Sequence, residues 1–230
     1  MDRFNLFGDS ILKGVQFDTN AGRYTVNDNM GLHQVAAKAG LSMRNFSKFG
    51  CTITKAWQYV QRMFTKLDAD IVLMNFGSSD CDFDWPAIST NPTATHLPNT
   101  NLDEFVDTYN KLIDYVESHR STPVLATLVP VNEQNYIDHI CKVKRLNPSN
   151  INTWVQLNHG ALTDHQHQYS QAIETVAATR SVPLLDLRSA FTEYKDPDSL
   201  LGPDGVHPNN KGQKLIRSCF QVFVDDCLAV

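Results

Sequence analysis

Short apolar runs alternate along this chain with stretches whose apolar residues recur at helical spacing, the pattern of an α/β domain built on a parallel sheet. Residues 71–76 and 124–129 are almost continuously apolar. Strands of that kind are covered on both faces, so these two are predicted to be central. Residues 4–7 and 183–187 predict two further strands, and 43–47 a more polar one nearer an edge. Behind Asn101, the residues Leu102, Phe105, Val106, Tyr109, Leu112, Ile113 and Val116 fall on one helical face, with Glu104 placed for a capping box. Ala56, Tyr59, Val60, Met63, Phe64 and Leu67 form a second stripe. Leu215, Ile216, Cys219, Phe220, Phe223, Val224 and Cys227 form a third, behind Pro208, which suits a first helical turn. Further helices are expected over 31–39 and 163–179. Two long connections break the alternation, 78–100 with Pro86, Pro92 and Pro98, and 130–162 with Pro148. Connections of that length are expected to be loops that carry function.

Composition narrows the picture without changing it. The 230 residues, 42% hydrophobic and 20% charged, predict one globular domain over 1–230. A net charge of −5, with both signs mixed along the chain, offers no footprint for nucleic acid or an anionic membrane. No apolar run has the length of a membrane span, and a first strand starting near Arg3 leaves no room for a signal peptide. A cytoplasmic location is therefore expected. The five cysteines are odd in number, scattered and free of C-x-x-C pairs, which argues against a disulfide framework or a zinc knuckle. His165 and His167, with Asp164 and His159 nearby, invite a metal reading, but two histidines at i, i+2 on a helix face different ways. No metal and no cofactor are expected.

The chemistry lies at the two ends of the chain. Gly8-Asp9-Ser10 follows the first apolar run, and Asp204-Gly205-Val206-His207 sits in a Pro/Gly turn after the last. A serine, a histidine and a carboxylate are the minimum set for hydroxyl-based acyl transfer. With Asp204 three positions before His207, one short loop can deliver both base and orienter. Ser10, Gly50, Ser79 and the 204–207 loop each follow the carboxyl end of a predicted strand, the edge at which open α/β sheets bind ligands. Asp9 is expected to stiffen the turn presenting Ser10 by accepting local backbone hydrogen bonds. Cys51 and Cys81 lie near these positions with nothing adjacent to lower a thiol pKa, and are expected to be small buried or edge residues.

These residues resemble the SGNH (GDSL-type) hydrolases. Gly8-Asp9-Ser10-Ile11, Phe49-Gly50-Cys51-Thr52, Phe76-Gly77-Ser78-Ser79-Asp80 and Asp204-Gly205-Val206-His207-Pro208 are similar to that family's four blocks, in its order and across nearly the whole chain. The resemblance implies a three-layer α/β/α, flavodoxin-like fold with a five-stranded parallel sheet. It also implies a serine esterase or acylhydrolase in which Ser10 is the nucleophile, His207 the base and Asp204 its orienter. The oxyanion hole would comprise the Ser10 and Gly50 N–H groups and the residue at Ser79. One departure is plain: the third block usually reads Gly-x-Asn-Asp, and here Ser79 replaces the asparagine. No Gly-x-Ser-x-Gly elbow of the α/β-hydrolase kind is present. The expected substrate is a small carboxylic ester, for instance an O-acetyl group on a sugar. The alternative is a weakened pseudoenzyme or ligand-binding module, and acyl transfer to an alcohol or amine would need an acceptor site that the sequence does not reveal. Trp85 and Trp154, one on each long connection, are candidates for a substrate-stacking wall or lid, against the plainer alternative of packing within the loops.

Overall fold

The computed structural model describes residues 3–27, 30–67 and 69–227, with the backbone alone for 63–67 and 227. Met63, Phe64, Leu67 and Cys227 of the predicted stripes therefore lie outside the described side chains. The strands are β1 (Arg3–Gly8), β2 (Val15–Asp18), β3 (Arg23–Val26), β4 (Ser42–Asn45), β5 (Ile71–Asn75), β6 (Thr122–Ala126) and β7 (Leu184–Leu185). Five of them form a parallel sheet in the order β4-β1-β5-β6-β7, while β2 and β3 pair antiparallel as a separate hairpin. The chain thus builds outward from β1 to one side and then to the other, the flavodoxin-like order, with its switch point between β1 and β5.

Alternation along the central strands explains their unbroken apolar character. Ile71 and Leu73 of β5 join the core on one face with Phe4, Phe191 and Phe220, while Val72 and Met74 join the other with Phe105, Leu112 and Ile173. The first core is closed by α1 (Leu32–Lys38), α8 (Leu187–Thr192) and α9 (Asn210–Cys227), and the second by α2 (Ile53–Leu67), α4 (Leu102–Ser118) and α7 (Thr163–Arg180). Three layers result. Each fully buried Phe, Leu, Ile, Val or Met contributes about 1.5–3 kcal/mol relative to exposure. Asn101 caps α4 as its spacing predicts, its Oδ1 accepting the Glu104 N–H at 2.9 Å.

Differences from the sequence reading have local causes. The strand expected over 183–187 ends at Leu185, because the Asp186 carboxylate accepts the Ser189 N–H at 3.1 Å and caps α8. The two long connections carry helices: α3 (Trp85–Thr90) in the first, α5 (Glu133–Lys144) and α6 (Pro148–Leu157) in the second. Asn132 caps α5, and Asn147 caps α6 just ahead of Pro148, a start signal that the interrupted periodicity obscured. Trp85 and Trp154 are a correction. They are 0% and 2% exposed, pack edge-to-face at 5.6 Å with Ile88, Ile140 and Ile151 around them, and form no wall of the cavity described below. The Trp85 Nε1–H is satisfied by Asp82 at 2.7 Å, which lets the indole be buried completely.

Candidate active site

Ser10 comes off the end of β1 beside the switch point. A side chain at Gly8 would place its Cβ 2.8 Å from the Asn75 carbonyl oxygen, so only glycine lets the ends of β1 and β5 lie this close. Asp9 then closes the turn. Its N–H donates to that same carbonyl at 3.2 Å, and its Oδ1 accepts the Ile11 N–H at 2.9 Å. The second oxygen is buried without a hydrogen-bond partner among the described residues, although the Ser79 N–H and the Ser78 side chain lie near the carboxylate.

The loop after β7 brings the other two groups. His207 Nε2 lies 2.8 Å from Ser10 Oγ, and Nδ1 lies 2.6 Å from Asp204 Oδ2. All three are buried. Asp204 Oδ1 also accepts the N–H groups of Val206 and His207 at 3.2 and 3.1 Å, so the carboxylate folds its own loop. Burial pushes its pKa up, but the His207 hydrogen bond and charge and the two backbone donors outweigh that and leave it below the usual carboxylate value. Gly205, at φ 71°, fits against the start of α5, where a Cβ would meet the Asn132 carbonyl oxygen at 2.5 Å. The Gly205 carbonyl accepts the Asn132 N–H at 2.8 Å.

Gly50 and Ser79 line the same cavity as Ser10 and His207, a space of about 450 Å³. Gly50 adopts φ 64° and has open space where a Cβ would point, so its backbone angle, not clearance, selects glycine there. Among the described residues, no acceptor is found for the N–H of Ser10 or of Gly50. Ser79 is half-buried, and its carbonyl accepts Asn99 Nδ2 at 3.0 Å. Val131, Ile140, Val143 and Leu162 give the cavity an apolar lining, and Thr52, Thr54, Lys55 and Asn99 a polar one. Burial pushes the Cys51 thiol up to about 11 and Cys81 well above the ordinary value, so both are neutral thiols at pH 7 and poor nucleophiles. Among the described residues, no group of three or more His, Cys, Asp and Glu side chains could hold a metal ion, and no helix is long and apolar enough to cross a membrane.

Around His207, Phe49, Tyr24 and His139 were not found by sequence reasoning, and neither were most of the residues lining the cavity. Phe49 and Tyr24 pack against the His207 ring, and His139 on α5 binds Tyr24. Phe49 stands next to Gly50 in a quoted block and was the one within reach of the sequence.

Residues 6–215 match the GDSL-like lipase/acylhydrolase family. The chain belongs to that family. As a member it is a hydrolase of ester bonds, built on the three-layer α/β/α fold described above. Its fold is shared by the lipase/acylhydrolase of Enterococcus faecalis, 19% identical at a TM-score of 0.66, the match covering 97% of this chain and 95% of that one. The acetyl xylan esterase AlAXEase, also 19% identical, aligns at 0.65 over 96% and 99% of the two chains. A member of the lipolytic G-D-S-L family from Veillonella parvula DSM 2008, 13% identical, aligns at 0.65 over 99% of each. The comparison with curated proteins gives no match.

Two buried carboxylates beside this site are expected to make the stability of the protein depend on pH. Burial raises Asp9 to about 6, against the opposing Ile11 N–H and the His207 charge, and raises Asp80 to about 7, against the nearby Thr100 hydroxyl and the Ile53 N–H. Both ordinarily titrate near 3.8, so between that pH and their folded values the native protein holds protons that the unfolded chain has released. Stability contributed in acid is thus lost as pH rises from the ordinary carboxylate value through about 6–7, at a cost on the order of a few kcal/mol per group. Asp204 acts in the opposite direction below its ordinary value. The urea midpoint should rise when pH is lowered from about 8 to about 5.5, and rise less in Asp80→Asn. Equal pH dependence in the two proteins would refute this assignment.

Proposed function

We propose that the protein is a serine esterase that cleaves a small carboxylic ester by two-step acyl transfer at Ser10. The observation that carries this reading is the unbroken chain Ser10 Oγ, His207 and Asp204, at 2.8 and 2.6 Å, opening onto a cavity. The ionised Asp204 carboxylate accepts the Nδ1–H of His207, which leaves Nε2 with a lone pair aimed at the serine hydroxyl. As Ser10 Oγ attacks the ester carbonyl, its proton passes to Nε2, and the negative charge on the carbonyl oxygen meets the N–H groups of Ser10 and Gly50, aided by Ser79. Nε2 then returns the proton to the departing alcohol. A water activated by the same nitrogen hydrolyses the acyl-enzyme and restores the serine.

The cavity lining carries both apolar and polar groups, which suits an ester with two unlike halves. The acyl group would lie along Val131, Ile140, Val143 and Leu162, and a polar alcohol such as an O-acetylated sugar against Thr52, Thr54, Lys55 and Asn99. Turnover of p-nitrophenyl acetate, butyrate and octanoate and of an acetylated xylo-oligosaccharide, measured beside fluorophosphonate labelling of Ser10, tests the reading. Labelling together with turnover is expected. A folded protein that neither labels nor turns over would instead match the second reading, a ligand-binding member, which the serine at position 79 favours.

A further inference from the structure

The two hydrogen bonds of His207 do not fix its ring through a whole catalytic cycle. Once Ser10 Oγ carries the acyl group it no longer offers Nε2 a proton, and the imidazole could swing about the remaining bond from Nδ1 to Asp204. Packing on the ring opposes that swing. Phe49 lies nearly parallel to it, 6.0 Å between centroids at 15°, and Tyr24 meets it at 5.3 Å and 65°. Tyr24 belongs to β3, in the hairpin outside the central sheet. A lone two-stranded hairpin is marginally stable in water, so its place depends on what holds it. Gln16 on β2 donates its Nε2–H to the Pro208 carbonyl at 3.1 Å, next to the base itself. The Tyr24 hydroxyl lies 2.9 Å from His139 Nε2, and Phe17 packs edge-on against the same imidazole at 4.5 Å. Burial holds the His139 pKa below and the Tyr24 pKa above their ordinary values, so this is a bond between neutral groups.

We propose that Tyr24, tethered through its hydroxyl to His139, is a positioning residue for the base: it keeps the hairpin against His207 and so keeps Nε2 aimed while its partner changes from serine to leaving alcohol to water. This rests on His207 being the base. A misplacement of about 1 Å at such a group can cost as much as 10²-fold in rate, and loss of the tether alone should cost less.

Tyr24→Phe keeps the ring and removes the tether, and His139→Leu removes its other end. Each should lower kcat about 5- to 20-fold with KM within about twofold, and the double variant should be no slower than either single one. His139→Gln, whose amide can still bond the Tyr24 hydroxyl, should recover most of the rate. Thermal melting of Tyr24→Phe should stay near that of the wild type. Wild-type kcat in Tyr24→Phe, losses that multiply in the double variant, a loss carried by KM, or no recovery in His139→Gln would each overturn the tether while leaving the hydrolase reading intact. A wild type that neither turns over nor labels at Ser10 overturns the hydrolase reading, and the tether with it.

Discussion

Ser10→Ala should abolish both turnover and fluorophosphonate labelling, a loss on the order of 10⁴–10⁶ in kcat. Without the hydroxyl there is nothing to acylate, and what remains is water attack on an ester held in the cavity. His207→Ala should cost about as much, because an unassisted serine hydroxyl is a weak nucleophile. The two losses should not add: the double variant should be about as slow as either single one, since each removes the same proton transfer. Asp204→Asn is the finer probe. The asparagine oxygen can still accept the Val206 and His207 N–H groups that shape the loop, but the charge that fixes the imidazole tautomer is gone. A drop of about 10⁴ with the fold intact is expected. Circular dichroism establishes that the variants fold, and progress curves on a short-chain ester measure the rates. Retained turnover in Ser10→Ala would remove the nucleophile and the proposed mechanism with it.

What could be read from the chain, and what could not, divides by the range of the interactions. Residues 71–76 announced a central strand because alternate side chains must feed two cores at once, and β5 does feed both. Asp204 and His207 were legible because three positions in a turn suffice to join a carboxylate to an imidazole. Their meeting with Ser10 across 197 positions was inferable only because parallel strands deliver their loops to one edge. The hairpin was missed. Its strands are four residues each, and its place is secured by Gln16, Phe17 and Tyr24 acting on distant partners, not by any local pattern. His139 stands 115 positions from the tyrosine it binds, with no motif around either. The tryptophans show the converse failure. A large ring on a long connection can turn toward a ligand or toward a core, and here Trp85 and Trp154 pack with each other and with apolar residues of the two connections.

Ser79→Ala should lower kcat about tenfold, and Ser79→Asn should change it by less than about tenfold in either direction. The argument turns on what a side chain at this position can offer a developing oxyanion. An amide that reaches the oxygen is worth about 3 kcal/mol, or some two orders of magnitude in rate. A hydroxyl is also a donor, but a shorter one, so it must act through a small shift of the turn or a bridging water and should recover part of that value. The turn itself is well held, because Asn99 donates to the Ser79 carbonyl and Asp80 accepts the Ile53 N–H at 2.9 Å, so exchanging the side chain alters the donor and little else. Asparagine has two more heavy atoms and reaches one bond further, and the cavity beside it has room for them. Both variants need kcat separated from KM, because a donor that acts only in the transition state lowers kcat and leaves KM nearly unchanged. An alanine variant as fast as the wild type would mean that two backbone donors carry the oxyanion alone. A gain of a hundredfold or so in the asparagine variant would mean that the wild-type site works without a third donor and that Ser79 has drawn the protein toward binding.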